Sequence, residues 1–420
     1  MIASTTMRAA ATCVLLATTC LSTFFVSPAL AQTTDIPSAY KNIDENGVDL
    51  TDGSFNFSLV EGSIGSGEGL LSLIRYDADG SSLDNWEGLA LHVEDGTVTV
   101  LLGNRSEAFA DNGTGFVSEQ GNGATLTGSG NSFTYRNADG TQIMFGKADG
   151  QTDPCASNAN CSLVALSVQE PGGKTVSLQW QALGANVCLT RVSNNFRYAM
   201  DVAYLEGGIV NGQATPDWHK RATVTFRNDT VFSGPTPTTR YAYPSANVTE
   251  VTTTGERKWR ITTDTQGRVV GVKRPGAADD STQVEYGANG VGKVTHEGVV
   301  TTYVRSVDGN VARTEVSDAL GRRLTIWSNI ATGRPTSVVD ALSGLTSYSY
   351  DSNDRLTQVT APERNKVIIE YDARGNVTKR TLKPKPLPDS TPDTTTPDIV
   401  TEARVSVVIK LVLVPSSALL

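Results

Sequence analysis

Two stretches near the end of the chain have one pattern: SYSYDSNDRLTQVTAP at residues 347–362 and IIEYDARGNVTKRTL at residues 368–382. In each, a Tyr-Asp pair precedes a turn position by three residues, and Leu or Val comes directly after the turn. The Asp of such a pair, Asp351 or Asp372, starts a tight turn by bonding to the backbone that follows. The pattern therefore predicts a strand, a turn and a returning strand.

The same turn recurs upstream. Successive turn positions are 23, 19, 24, 21 and 21 residues apart. A unit of this length is one hairpin, and its apolar face is buried only when neighbouring units stack on it. The aligned positions are Gly267-Arg268, Gly290, Gly309-Asn310, Gly333-Arg334, Asp354-Arg355 and Gly375-Asn376.

The rest of the chain also reads as strands. Short alternating runs are separated by turn residues, and the composition has 39 Gly with only 19% charged residues. We expect an all-β fold, with one or more β-sandwich-like domains first and stacked hairpins in a curled, open sheet after them. The predicted segments are an N-terminal β domain at 32–150, a second β-rich domain at 151–250, the repeats at 251–382, and a Pro/Thr linker with an atypical apolar tail at 383–420.

The N-terminus reads as a secretory signal peptide over residues 1–31. Arg8 is followed by an apolar run and then by Ala29-Leu30-Ala31, a small-residue cleavage site. Export to the extracellular space or the cell surface follows, with no stable membrane span after cleavage. The net charge of −9 makes nucleic acid an unsuitable partner, because neutralising phosphates needs a basic face.

Three cysteines follow the predicted signal peptide. Cys155 and Cys161 flank a short loop rich in Ser and Asn, and we predict a disulfide between them. It would stabilise the fold by roughly 2 kcal/mol. Cys188 would then be an unpaired, buried thiol in a strand; a bridge from Cys155 to Cys188 is the alternative.

The residues that define the repeat motif lie around the two clearest turns. Looser copies occur at residues 264–268 and 318–322. The motif residues are Tyr350, Asp351 and Arg355 in the first copy, and Tyr371, Asp372, Gly375 and Asn376 in the second.

This motif resembles the YD repeat of the rearrangement-hotspot (Rhs) family, over roughly residues 260–382. The resemblance implies a twisted β-sheet shell. It also implies a role in surface attachment or carbohydrate binding, or a toxic enzyme that follows the repeats. The family's repeat-terminating core is not visible here, and the apolar end beyond about Glu402 has no repeat. We therefore expect a truncated chain; a last strand that pairs with the sheet edge is the alternative.

The sequence shows no catalytic or metal-binding pattern. The three histidines, His92, His219 and His296, are far from any cysteine or second histidine in sequence. No nucleophile-elbow or phosphate-loop motif occurs. The segment from Asp77 to Asp84 resembles part of a calcium loop, but we expect a turn with solvated acids there. The sequence predicts no catalytic residue, no cofactor and no metal.

Aromatic residues of the repeats are the remaining candidates for a binding site. Sugar rings stack on exposed aromatic faces, and Trp259, Trp327 and Tyr348 could serve in this way. The competing interpretation, which we favour, is that the repeat aromatics wedge between hairpins as core.

Together these observations predict a non-enzymatic, secreted or cell-surface RHS/YD-repeat scaffold for interaction or encapsulation. The alternatives are a carbohydrate-binding surface module, and the front portion of a polymorphic toxin without its C-terminal effector. Expected partners are carbohydrate or another cell-surface protein.

Overall fold

The fold was analysed in a computed structural model. It describes residues 41–402 apart from 79, 95, 104, 120–121, 156–159, 184–185, 206–208, 211–212, 215–216, 218, 231–235, 373–374, 388–391 and 394. The predicted signal peptide and the apolar tail beyond Glu402 lie outside the described residues.

The described part of the chain is all β. It contains no α-helix, and one short 3-10 turn lies at Gly67–Gly69. The first strands are β1 Asn56–Ile64, β2 Leu71–Ala78, β3 Ser81–Asp84, β4 Leu89–Glu94, β5 Thr97–Leu102, β6 Ser106–Asp111, β7 Phe116–Ser118, β8 Thr125–Ser129, β9 Ser132–Arg136, β10 Gln142–Gly146 and β11 Asn160–Gln169.

The middle of the chain adds eight strands. They are β12 Thr175–Leu183, β13 Asn186–Asn194, β14 Tyr198–Tyr204, β15 Ile209–Val210, β16 Gln213–Ala214, β17 Arg221–Asn228, β18 Thr238–Ser245 and β19 Val248–Thr252.

The repeat region supplies the last thirteen. They are β20 Lys258–Thr263, β21 Val269–Lys273, β22 Thr282–Gly287, β23 Gly290–His296, β24 Val299–Asp308, β25 Val311–Ser317, β26 Arg323–Asn329, β27 Pro335–Val339, β28 Leu345–Tyr350, β29 Leu356–Thr360, β30 Lys366–Tyr371, β31 Val377–Lys383 and β32 Ile399–Glu402.

One large antiparallel sheet contains most of these strands. From β17 onward each strand pairs with the next along the chain, up to β32. The ladder passes through residue 250 without a break, because β19 pairs with both β18 and β20. The all-β, open sheet of hairpins is confirmed, whereas the division into domains stays a prediction.

The long strand β11 connects two parts of this sheet. Its first half, Asn160–Val164, pairs with β4, and its second half pairs with β12. Its opposite edge pairs with β10. The segment β4–β11 thus curls back on itself, and the meander continues from its last strand.

Residues 41–84, which we call the N-terminal strap, cover one face of the meander. Strands β1–β3 form a separate small sheet. The apolar strap residues join the same hydrophobic core as strands β17 to β26 of the meander, which we call the wall. Core residues from the strap include Leu50, Phe55, Leu59, Leu71 and Leu73, and those from the wall include Val224, Phe226, Val251, Ile261, Val284, Val294 and Ile326.

Glycine pairs bring the strap backbone against the hairpin turns. A Cβ placed on Gly80 would lie 2.3 Å from the Gln266 carbonyl oxygen, and one on Gly267 would lie 2.9 Å from the Gly80 carbonyl oxygen. Gly53 and Gly290 form a second pair, in which a Cβ on Gly290 would lie 2.5 Å from the Gly53 oxygen. Two of the aligned repeat turns are therefore docking points for the strap.

Gly267 and Gly321 provide a matched test of this docking. Both occupy the same position of an Asp-x-x-Gly-Arg turn, with φ of +80° and +75°, but nothing lies within 4 Å of a Cβ on Gly321. Backbone strain is thus common to both Ala variants, and Gly267→Ala adds a clash with the strap. We expect Gly267→Ala to lose about 1 kcal/mol or more beyond the loss of Gly321→Ala in urea unfolding. Equal losses would refute the docking role.

Candidate functional site

The repeat turn is a three-residue loop closed by its aspartate. In the first clear copy the backbone N–H of Asp351 donates to the Arg355 carbonyl at 3.0 Å. The Asp351 Oδ1 accepts from the N–H groups of Asn353 and Arg355, each at 3.0 Å. The third loop residue, Asp354, has φ of +56°. This geometry is that of a common three-residue hairpin loop, whose last residue has a left-handed backbone conformation.

The second copy has the same geometry around Asp372. Its Oδ1 accepts from the Asn376 N–H at 2.8 Å, and Gly375 takes the left-handed position with φ of +86°. Asn376 replaces the arginine of the first copy and bonds through its side chain to Asp372 Oδ2 at 2.9 Å.

Arg355 joins its own turn to the next hairpin. Its Nε donates to Asp351 Oδ2 at 2.7 Å, and its guanidinium lies 5.0 Å from the ring centre of Tyr371. The Tyr371 hydroxyl donates back to the carbonyl of Leu356 at 2.8 Å, and Arg355 Nη1 donates to the carbonyl of Asp372 at 3.0 Å. Partial burial acts to raise the pKa of Asp351, but hydrogen bonds from Arg355 outweigh it and lower this pKa below its usual value. We call this cation-on-tyrosine arrangement the clamp.

The clamp recurs along the sheet. Each time a cation covers a tyrosine of a later strand, and the tyrosine hydroxyl donates to the carbonyl of the residue after the cation. The sequence did not predict the copy upstream of residue 250, because its cation and tyrosine are 23 residues apart, whereas those of the other clamps are 16 to 18 residues apart. The further clamps are Lys220–Arg221–Tyr243, Arg268–Val269–Tyr286 and Arg334–Pro335–Tyr350, with cation-to-ring distances of 5.5, 4.0 and 5.8 Å and hydroxyl bonds of 3.1, 3.0 and 2.8 Å.

Tyr303 is used differently, because its hydroxyl holds the strap. It donates to Asp44 Oδ2 at 2.6 Å and accepts from Asn46 Nδ2 at 2.9 Å. Nearby, Arg305 Nε donates to the Thr51 carbonyl at 2.8 Å. Side chains of the strap and of β24 thus both take part in the hydrogen bonds that join them.

A buried carboxylate fixes the strap to the wall farther along. A β-bulge between Val60 and Gly62 turns Glu61 into the interior, where Tyr241 donates to it. Arg75 Nη1 lies 3.8 Å from Glu61 Oε1. Burial raises the pKa of Glu61, against the lowering effect of Arg75.

A second buried group completes this cluster. Arg221 pairs with Asp84 and, at 2.7 Å, with Glu87. The Tyr204 hydroxyl donates to the other oxygen of Glu87 at 3.0 Å. The contact between strap and wall is therefore partly ionic and deeply buried.

The segment from Asp77 to Asp84 differs from the expected turn with solvated acids. Both aspartates are buried, and each pairs with an arginine: Asp77 with Arg75 at 2.6 Å and Asp84 with Arg221. The expectation was wrong for Asp84 because its partner Arg221 is 137 residues away, across the fold. Asp77 instead pairs with Arg75 two residues before it, within the buried strap. Among the described residues, no cluster of three metal-ligating side chains occurs.

The cysteines and His92 lie at structural positions. Cys155 and Cys161 form a disulfide with a Cα–Cα distance of 4.9 Å. Cys188 is buried as a free thiol, and burial raises its pKa to about 12. His92 lies 2.7 Å from Ser162 Oγ, and burial lowers its pKa to about 4.

The candidate sugar-stacking aromatics are dispersed and half-buried. Trp259 packs against Phe57 of the strap, with ring centres 6.3 Å apart. Trp327 lies beside the guanidinium of Arg313 at 5.7 Å. Tyr348 is half-buried on β28, two strands away from Trp327. The structure does not bring the three together.

Comparison with known proteins identifies the class of the repeat. Residues 331–366 match the RHS Repeat family, and this segment includes the whole of the first clear copy at 347–362. The chain therefore carries an RHS repeat, which confirms the resemblance drawn from its Tyr-Asp turns. Among curated proteins, none matches the chain.

Two solved structures are similar to the chain at low identity. A Tc holotoxin pore from Photorhabdus luminescens is 12% identical over 79% of this chain and 19% of its own, with a TM-score of 0.37. The TcdB2-TccC3 complex is 11% identical over 74% of this chain and 17% of its own, with a TM-score of 0.34. The chain thus aligns with about a fifth of the length of either structure.

Helices that could cross a membrane are absent from the described residues.

The strap carboxyl Asp49 makes the stability dependent on pH. Burial, together with repulsion from Asp52, raises the pKa of Asp49 to about 6. A raised folded-state pKa gives stability that is full below the unfolded value and is lost as pH rises through about 6. Asp49→Asn keeps the acceptor for the Thr51 N–H. We expect it to gain up to about 3 kcal/mol over the wild type at pH 8 and little at pH 4.

Urea unfolding at both pH values measures this difference. Asp279→Asn, at an exposed acid, is the control and should show no such trend. An Asp49→Asn gain that is the same at both pH values would contradict the prediction.

Conservative replacement of Arg355 tests the clamp. Arg355→Lys keeps the charge but loses the planar group that both bonds Asp351 and covers Tyr371. We expect a loss of about 1–2 kcal/mol in urea unfolding. Arg323→Lys, at an exposed arginine outside any clamp, should change stability by less than about 0.5 kcal/mol. Equal effects would show that the clamp geometry contributes nothing.

Proposed function

We propose that this protein is an exported, non-enzymatic scaffold of the RHS-repeat type. Its N-terminal strap holds the repeat sheet in one shape, and its exposed edges and turns are left for interaction. The proposal depends on one observation: tyrosine hydroxyls and buried carboxylates among the described residues are engaged in contacts that hold the fold together.

Groups that could do chemistry elsewhere are bonded inside the structure. The hydroxyl of Tyr371 is bonded to a backbone carbonyl, and that of Tyr303 to Asp44. The buried carboxylates Glu61 and Asp84 face Tyr241 and Arg221. Such pairing favours a scaffold, because a catalytic group must be able to reach a substrate.

Export is supported by two features of the chain. Residues 1–31 have the pattern of a cleaved signal peptide. The Cys155–Cys161 disulfide suits an oxidising compartment. The alternatives of a carbohydrate-binding module and of the front portion of a polymorphic toxin stay predictions.

A glycan array separates the scaffold from the carbohydrate-binding module. The sample is mature protein recovered after export, whose first residue we expect to be Gln32. The scaffold predicts no glycan bound by the wild type, because Trp259 and Trp327 are half-buried and apart. A glycan that binds the wild type and Tyr371→Phe, but not Trp327→Ala, would overturn the proposal in favour of a sugar-binding surface.

A further inference from the structure

The two most exposed large apolar residues of the described chain occupy equivalent positions. Leu342 is 92% exposed and Leu320 is 79% exposed. Each is the third residue of an Asp-Ala-Leu turn, at 318–322 and 340–344. Single exposed apolar residues are ordinary on protein surfaces, but the same residue at the same place in neighbouring turns is not explained by scatter.

The two turns lie side by side on one rim of the sheet. Turns of a meander alternate between its two rims, and 318–322 and 340–344 are separated by the strands β26 and β27. Strands lie ~4.8 Å apart, so these tips are about 10 Å from each other. Val299 and Leu345, 59% and 51% exposed, begin strands at the same rim. We call these four residues the leucine rim.

Neither leucine is required by its turn. In both turns the Asp side chain accepts the backbone N–H groups that close the loop, as Asp318 does from Leu320 and Arg322 at 2.9 Å. Equivalent turns place polar residues at the same position, Gln266 and Asn353. The leucine side chains therefore expose apolar surface to water, which is unfavourable, and they form no hydrogen bond that stabilises the turn in exchange.

The shape and size of the leucine rim determine what can cover it. A stable protein interface buries about 1,200–2,000 Å² in total, far more than four side chains at hairpin tips provide. Protruding tips would also need matching pockets on a protein partner, whereas fluid acyl chains need none. We propose that the leucine rim inserts into the surface of a lipid bilayer and anchors this rim of the sheet peripherally.

Charges next to the tips fit such an arrangement. Arg323, whose side chain is 70% exposed, begins β26 directly beside the Leu320 turn and can extend toward lipid phosphates. Asp318 and Asp340 lie in the same turns, so the local charge is mixed. Apolar insertion, rather than attraction to anionic lipid, should therefore provide most of the affinity.

Vesicle flotation of the mature chain tests the proposal. Vesicles of phosphatidylcholine alone, and of phosphatidylcholine with phosphatidylglycerol, are mixed with wild type, with the double variant Leu320→Ser/Leu342→Ser, and with Val304→Ser. Val304 is 61% exposed but lies in the middle of β24, away from the rim. We expect the double variant to partition about tenfold less than the wild type on both vesicles, and Val304→Ser to partition like the wild type.

Three results would overturn the proposal. The first is a wild type that floats with neither vesicle. The second is a double variant that floats as well as the wild type. The third is a wild-type dimer in light scattering that the double variant abolishes, which would assign the leucine rim to a second copy. Urea unfolding is the check that the double variant is folded, which we expect because these leucines are mostly solvent-exposed.

Discussion

An antiparallel meander has two faces, and this protein must cover one of them to have a core. A sheet with an uncovered apolar face is only marginally stable in water. Here the covering layer is the chain's own N-terminal strap, which joins one hydrophobic cluster with strands β17 to β26. The hairpins shape the sheet, but its burial depends on a segment whose contacts with it are 137 to 282 residues apart in sequence.

That covering layer brings polar groups into the interior, and the structure compensates them in two ways. Glu61 and Asp84 are buried against tyrosine and arginine partners. Asp49 instead has its pKa raised to about 6 by burial and by its neighbour Asp52. A buried ion pair is weak support for stability, but losing one partner is strongly destabilising. The strap contact is consequently specific, since a shifted strap would leave these charges unpaired.

The sequence predicted what is local and missed what is distant. Asp351 and Asp372 were assigned to turns correctly, because an aspartate bonds to the backbone only a few residues ahead. Glu61 had no such signal beyond a glycine directly after it, and its partner Tyr241 is 180 residues away. The prediction of a solvated acid at Asp84 was wrong for the same reason, since its partner Arg221 is 137 residues away.

Tyrosines show how one residue type serves two contacts that the sequence does not distinguish. Tyr350 and Tyr371 lie in clamps, whereas Tyr303, in the same region, bonds to Asp44 and Asn46 of the strap. The pattern placed all three as wedges between hairpins. Only the course of the strap decides which hydroxyl meets a carboxylate and which meets a backbone carbonyl.

Burial changes along the repeats in step with the strap. Strand β21 has buried Val269 and Val272, while every residue of β29 is half-buried. Between them, the Thr51 hydroxyl bonds to the Gly333 carbonyl at 3.3 Å, just before β27. Hairpins beyond this point bury less apolar surface, so the contacts that link each hairpin to the next contribute a larger share of their stability there. The clamps at Tyr350 and Tyr371 stand in this part of the sheet, where a cation and a hydroxyl bond partly replace the missing core.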